Sequence, residues 1–262
     1  MTDAVFHLDG ERHVPTELAR GPWDPGAQHG GAAAAILGRA IERFQPEFGL
    51  AVTRITFELL RPVPLAPLVV TTAMTRPGKR VQLVTASLRA DDVEFVRATA
   101  LRVLPVPSDI PDDIDGPDRR LPDPGATAPA GQLIAQERPT NFSDAFELRL
   151  VDGRPFDTPG PARMWFRLRV PVVGGEEPSP LQRVLVAADF GNGISSVLDY
   201  ERFVFINPDL TVYVRRPPVG VWVGLDAASW LEPGAGGYAE SALYDERGRI
   251  GRALQALYVA PR

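Results

Sequence analysis

Apolar positions along the chain fall into runs of two periods. From Gly30 to Phe44 the sequence is Ala-rich, with Ala34, Ile36, Leu37, Ala40 and Ile41 near helical spacing, which predicts one largely buried helix. Four β-rich stretches follow: Thr53 to Leu60, Leu68 to Met74, Arg80 to Leu88 and Val93 to Leu104. The breaks between them carry turn chemistry, namely Arg61-Pro62-Val63-Pro64, Arg76-Pro77-Gly78-Lys79 and Ala90-Asp91-Asp92. One helix against an antiparallel sheet is the expected product. Pro105 to Gly131 is rich in Pro, Asp and Gly and has no hydrophobic period, so it reads as a linker. Beyond it Ala145 to Val151 and Met164 to Val170 read as strands, Leu181 to Ala188 as a short helix, and another short helix is expected after Gly193. Strands are expected again at Phe203 to Val214, Val219 to Ala227, Gly237 to Tyr244 and Arg249 to Val259, with Asp245-Glu246-Arg247-Gly248 as a hairpin turn. The order is again helix, then meander.

The two halves share a spacing. Thr56-Phe57-Glu58-Leu59-Leu60-Arg61-Pro62 resembles Thr211-Val212-Tyr213-Val214-Arg215-Arg216-Pro217, and 216 − 61 = 155. Arg97-Ala98 precedes Arg252-Ala253 by the same 252 − 97 = 155. Two blocks at one offset indicate an internal duplication, and so long a period excludes a solenoid, whose units run to roughly 20 to 50 residues. The expected organisation is a pseudo-dimer in one chain, with residues 1–104 and 141–262 as its halves and 105–140 between them.

Composition narrows the function classes. The chain has 262 residues, 44% hydrophobic and 23% charged, enough apolar material for a core in each half. Its net charge of −5 argues against broad nucleic-acid binding, which needs a basic footprint. There is no Cys, hence no disulfide, thiol nucleophile or thiolate metal site. No 18-residue apolar run and no basic-then-apolar N-terminus point to a membrane span or signal peptide, so a cytoplasmic location is expected. No cluster of His with carboxylates has metal-ligand spacing, and no cofactor is expected. Gly234-Ala235-Gly236-Gly237 lacks the Lys-Ser/Thr of a phosphate loop and reads as a turn, and no Gly-x-Ser-x-Gly elbow is present.

Four phrases carry a family resemblance. Trp23-Asp24-Pro25-Gly26-Ala27-Gln28-His29-Gly30-Gly31 running into an Ala-rich helix resembles the start of the central helix in hotdog acyl-CoA thioesterases. Ala187-Ala188-Asp189-Phe190, Arg216-Pro217 after a strand, and Arg252-Ala253-Leu254-Gln255 in the last strand resemble the C-terminal hotdog of the acyl-CoA thioesterase II family. The resemblance implies an α+β fold, a tandem or double hotdog in which two antiparallel sheets each wrap a central helix and join sheet to sheet. It also implies an enzyme of fatty acid metabolism that hydrolyses fatty acyl-CoA, and a homodimer is compatible with the outer surface such a pair exposes.

That family holds a water with an Asp, a Ser or Thr, and a Gln. Asp189 matches the Asp and Gln255 the Gln, while counting back from Arg216-Pro217 puts the hydroxyl position on Asn207, a departure. Asn both donates and accepts, so it retains the capacity to orient a water. Thr211 reads instead as a strand residue. A carboxylate and neutral amides can aim a water at a thioester carbonyl without Cys, a Ser triad or metal. Gly30 and Gly31, at a helix N-terminus, offer unpaired N–H groups for the oxyanion and no Cβ to obstruct the thioester. Plainer roles stand beside each: Asp189 as an N-cap, Gln255 satisfying buried backbone, the glycines as tight packing, and His29 as a cap or packing residue. The same 155-residue offset sets Ala100 against Gln255 and Val52 against Asn207, with Asp189 aligned to Gln28 or His29, so one working site per chain is expected. A hydratase reading of Asn207-Pro208 fails because Phe205 and Leu210 stand where such an enzyme has Asp and His. The remaining rival is a non-catalytic acyl-CoA or acyl-chain binder.

Overall fold

Each half begins with chain that the apolar pattern alone does not specify. The computed structural model describes residues 3–107, 109, 120–130, 139–153 and 158–262. A hairpin, β1 (Phe6–Asp9) and β2 (Arg12–Pro15), opens the first half and turns at Gly10, whose φ of +58 is accessible to Gly at no steric cost. Helix α1 (Gly30–Arg43) follows, then β3 (Ala51–Leu59), β4 (Leu68–Arg76), β5 (Val81–Ala90) and β6 (Val93–Val103). The second half contains β7 (Ala128–Pro129), β8 (Phe146–Asp152), β9 (Ala162–Leu168), α2 (Pro180–Ala188) and α3 (Gly191–Ser195). It closes with β10 (Phe203–Ile206), β11 (Asp209–Val214), β12 (Val223–Glu232), β13 (Gly236–Asp245) and β14 (Gly248–Pro261).

One sheet runs through both halves. Its order is β1-β2-β4-β5-β6-β3-β11-β14-β13-β12-β9-β8-β7, with β10 paired to β14 alone. The halves join edge to edge where β3 pairs antiparallel with β11. The 155-residue offset holds strand by strand: adding 155 to β5 gives 236–245, the bounds of β13, and adding it to 68–76 of β4 gives 223–231, within β12. Even the irregularity repeats, since the β5–β6 pairing shifts between Leu88 and Arg89 and the β13–β14 pairing between Leu243 and Tyr244, again 155 apart. A bulge is a specific local geometry, so its duplication supports the repeat more strongly than strand bounds do.

The helices pack on each other in opposite directions. Small residues permit the close approach: a Cβ on Gly31 would lie 3.0 Å from the Val186 carbonyl oxygen, and one on Gly38 would strike the Leu185 side chain at 2.3 Å. The N-terminus of α1 therefore meets the C-terminus of α2, while Ser179 before α2 meets Glu42 near the end of α1. Apolar residues of both helices and of both sets of strands form one continuous core, from Ala32 and Ile36 to Val184 and Leu225. No described helix is long and apolar enough to cross a membrane.

Several expectations need correction. The expected strand Phe203 to Val214 is two strands, because Asn207 and Pro208 interrupt it and Pro has no N–H for the ladder. The strand expected from Val219 starts at Val223, since Val219 and Val221 donate their N–H groups to the Asp245 and Glu246 carboxylates instead. The second short helix starts at Gly191, not after Gly193. Part of the expected linker packs on the second half: Trp165 Nε1 donates to the Pro122 carbonyl at 2.9 Å, Leu121 is buried, and Ala128–Pro129 pair with β8. Within that stretch, 108, 110–119 and Gly131 lie outside the described residues.

Candidate active site

The end of α2 is where the candidate residues meet. Ser179 caps α2 through a reciprocal pair with Gln182, with Pro180 at the first helical position, so the helix start is fixed. Nine residues later Asp189 is its C-cap, in right-handed backbone (φ −76°, ψ −6°). It is thus not the N-cap that its neighbours suggested. The turn into α3 at Gly191 is tight because a Cβ there would lie 2.7 Å from Ser241 Oγ and 2.9 Å from Gln255 Oε1.

Three of the expected residues converge on that carboxylate from different elements. Asn207 Nδ2, in the break between β10 and β11, donates to Asp189 Oδ1 at 2.8 Å. Gln255 Nε2, on β14, donates to the same oxygen at 3.0 Å. The Asn192 N–H donates to Gln255 Oε1 at 3.2 Å, which leaves the amide nitrogen as the group facing Asp189. Asp189 and Gln255 are 8% and 2% exposed, while Asn207 is half-buried and opens the cluster to solvent. Pro208 produces the strand break that turns Asn207 out of the ladder; Val52, its counterpart, lies in the unbroken strand β3.

The first half supplies the opposite wall. His29 is the N-cap of α1, its Nδ1 lying 3.1 Å from the Gly31 nitrogen, and that same Nδ1 stands 2.9 Å from Asp189 Oδ2. The ring packs against Phe142 at 4.8 Å and Phe190 at 4.7 Å, whose own centroids are 5.7 Å apart. Gly30 has to be glycine for this approach, since a Cβ would fall 2.8 Å from Asp189 Oδ2. Its N–H has no acceptor among the described residues. The expectation that both glycine N–H groups are unpaired holds only for Gly30: the Gly31 N–H is taken by the His29 cap.

The repeat relates other positions differently than expected. Asp189 touches His29 rather than corresponding to it, because the helices are antiparallel and the C-cap of α1 is Phe44. Ala100, opposite Gln255 in the offset, is fully buried. Thr211 pairs with Thr56 across β3–β11, and Phe205 and Leu210 are buried. His7 faces Asp3 on the surface, and His13 is buried in β2.

Sequence reasoning missed Phe142, Phe190, Asn192 and Tyr200. Tyr200 donates to the Asn192 and Gly193 carbonyls at 3.0 and 3.1 Å, bracing the turn that orients Gln255. Burial pushes the Tyr200 hydroxyl well above its usual range. Asn192 Oδ1 is buried without a partner among the described residues, an acceptor beside the site that a bound donor would satisfy. Adjacency to Asp189 was the available signal for Phe190 and Asn192; Phe142 and Tyr200 had none.

Comparison with known proteins agrees in both halves. Residues 19–103 match the family model for the acyl-CoA thioesterase N-terminal domain, and residues 112–259 match that for the C-terminal domain. No curated protein matches the sequence. Among solved structures, a hot dog fold protein of unknown function from Alicyclobacillus acidocaldarius superposes with a TM-score of 0.74 at 17% identity, over 98% of this chain and 97% of that one. The tesB protein of Mycobacterium avium subspecies paratuberculosis gives 0.69 at 17% over 98% and 96%. The acyl-CoA thioesterase II TesB2 of Mycobacterium marinum gives 0.66 at 14% over 97% and 94%. At these identities the structures establish a shared hotdog-type fold, and it is the two matched models that show that the chain belongs to the acyl-CoA thioesterase family.

Proposed function

We propose that the protein hydrolyses fatty acyl-CoA thioesters, with Asp189 as general base and Asn207 and Gln255 as the amides that orient it and its water. The observation that carries this reading is the convergence of Asn207 Nδ2 and Gln255 Nε2 on Asp189 Oδ1, at 2.8 and 3.0 Å. Two neutral donors on one oxygen fix the carboxylate plane without neutralising its charge. Asp189 takes a proton from the water as its oxygen attacks the thioester carbon, and the Gly30 N–H, at the positive end of α1, meets the developing oxyanion. Asn207 substitutes for a hydroxyl donor because its amide reaches the same oxygen that a Ser or Thr would serve.

The domain reading belongs to the same proposal. Residues 1–104 and 141–262 form two hotdogs in tandem, and one site forms per chain, because the first half's matching strand positions are Val52 and Ala100. Losing polar side chains from a redundant copy is physically easy when apolar groups fill the space.

Thiol release from short-, medium- and long-chain acyl-CoA tests the reading directly. Turnover with at least one chain length is expected, together with a stoichiometry near one for a non-hydrolysable acyl-CoA by calorimetry. Binding without thiol release at any length would favour the acyl-CoA binder instead.

A further inference from the structure

His29 Nδ1 has two neighbours that it cannot serve at once. The Gly31 N–H approaches it at 3.1 Å as a donor, and Asp189 Oδ2 approaches at 2.9 Å as an acceptor. An imidazole nitrogen holds either a lone pair or a proton. With the lone pair it satisfies Gly31 and opposes the carboxylate; with the proton it satisfies the carboxylate and leaves the Gly31 N–H unpaired. Phe142 and Phe190 pack against the ring at 4.8 and 4.7 Å with interplanar angles of 31° and 29°, which holds it beside both neighbours. The backbone is tied as well, the His29 N–H donating to the Ala19 carbonyl at 2.8 Å. Asp189, from the end of α2, is the charged group that faces the ring; the walls from Phe142 and Phe190 are neutral.

Resting on the thioesterase reading, we propose that His29 exchanges a proton with Asp189 during turnover and that protonation of Nδ1 releases the Gly31 N–H as a second oxyanion donor. The water's oxygen forms a bond to the thioester carbon, its proton passes to Asp189 Oδ2, and the carbonyl π pair moves onto oxygen. The proton then crosses to His29 Nδ1, imidazole being the stronger base of the two side-chain types. At that moment Gly31 N–H loses its acceptor and joins the Gly30 N–H on the oxyanion. On collapse the oxygen pair re-forms the carbonyl and the carbon–sulfur bond breaks with its electrons on sulfur. The proton returns through Oδ2 to the thiolate. The products are a carboxylic acid and a free thiol, and the cap on Gly31 closes again. A donor that appears only when charge develops favours the transition state over the ground state, which is what raises kcat.

His29→Asn is the discriminating variant. Asn is among the best N-caps, so α1 keeps its start and the melting temperature is expected to stay at the wild-type value. Its carboxamide cannot take up and return a proton as imidazole does, so kcat is expected to fall roughly 100-fold, as for a lost acid–base partner. The kcat–pH profile should also lose the limb that the imidazole contributes. A variant with wild-type kcat, or one that retains that limb, overturns the proposal. If the wild type releases no thiol from any acyl-CoA, the thioesterase reading fails by itself, and the coupling is judged by nitrogen-15 NMR. The His29 Nδ1 and Gly31 amide signals are expected to titrate with one midpoint, and Asp189→Asn to shift both together. Separate midpoints, or a Gly31 signal that ignores the imidazole, overturn the coupling whatever the activity.

Discussion

The two ends of the antiparallel helix pair are built alike and do different things. At one end the N-cap of α1 meets a carboxylate at the end of α2, His29 with Asp189 at 2.9 Å; at the other the N-cap of α2 meets a carboxylate near the end of α1, Ser179 with Glu42 at 2.5 Å. Each end also has a polar side chain reaching from the last strand of its half toward the helix's final carbonyls. In the second half Gln255 Nε2 lies 3.4 Å from the Asp189 carbonyl oxygen; in the first, Arg102 donates to the Phe44 and Gln45 carbonyls at 2.5 and 3.1 Å. The difference lies in where the donors stop. Gln255 goes on to the Asp189 side chain, whereas Arg102 ends on backbone and the Glu42 carboxyl, pushed up by burial against its Ser179 bond, receives no amide. Arg39 and Arg43 beside Glu42 are committed to Glu176. The capped helix junction thus occurs twice, and in the proposed mechanism function follows the side chains that turn toward the carboxylate at one of them.

The sharpest way to break this contrast is to neutralise the two carboxylates separately. Asp189→Asn is expected to lower kcat on acyl-CoA by about two orders of magnitude, the usual scale for a lost general base. Glu42→Gln should leave kcat unchanged and, by removing a buried ionisable group, should not lower the melting temperature at neutral pH. Equal activity losses in the two variants would mean that both ends work.

The histidines near the two ends sharpen it further. His29 faces a carboxylate, but neither ring nitrogen of His13, 6% exposed, has a hydrogen-bond partner among the described residues. Burial, with a smaller push from the Arg39 charge, lowers its pKa from 6.5 to about 4. A depressed folded-state pKa means that the unfolded chain takes up the proton first. The stability it contributes is therefore present above pH 6.5 and is lost as pH falls toward about 4. A shift of this size corresponds to about 3 kcal/mol at most. His13→Phe should flatten that part of the stability–pH curve in denaturant melts, and an unchanged slope would show that His13 takes up its proton equally in the folded and unfolded chain.

Arg102 should matter for stability and not for turnover. It is 1% exposed, and removing it strands two carbonyls at the end of α1. Arg102→Met is expected to destabilise the protein by about 1–3 kcal/mol, the cost of leaving such groups unsatisfied, with kcat per folded molecule retained. A loss of activity at full folding would tie the first-half junction to the site.

Much of this was legible in the chain because duplication writes the same pattern twice. The 155-residue offset located β4, β5 and β6 against β12, β13 and β14, and matched Asn207 to Val52, since side-chain period and hairpin turns are local signals. The hairpin β1–β2 was not recognised, although Asp9-Gly10 is a turn signal, because its strands are four residues each and half polar. The residues of the candidate site were proposed through family likeness, but their arrangement was not legible. Contact between His29 and Asp189 depends on the antiparallel crossing of α1 and α2, and the stack of Phe142 on His29 joins residues 113 apart (142 − 29 = 113). Neither property has a sequence period. A cap role for His29 was legible from its place before the helix, but nothing local says that the same Nδ1 will face both the Gly31 N–H and Asp189.

The smallest effect lies where the two halves meet. Cross-strand partners in β3 and β11 sum to one number, 58 + 209 = 267 and 56 + 211 = 267, while repeat equivalents differ by 155. Both conditions hold for one pair, Thr56 and Thr211, so each is at once the other's sheet partner and its copy. That places the pseudo-twofold axis between them, and the two hydroxyl oxygens lie 3.1 Å apart across it. A pair on the axis is self-complementary by construction, as in an isologous dimer interface. Thr56→Val and Thr211→Val each leave the remaining hydroxyl facing a methyl group, and the double variant removes both polar groups while keeping shape. The double variant should therefore be no less stable than the sum of the single losses predicts, with a coupling of about 0.2–1 kcal/mol, the range for cross-strand pairs. Strict additivity in denaturant melts would mean that the seam is held by its backbone ladder and the apolar core beneath it, and that the hydroxyl pair is a relic of symmetry without energetic weight.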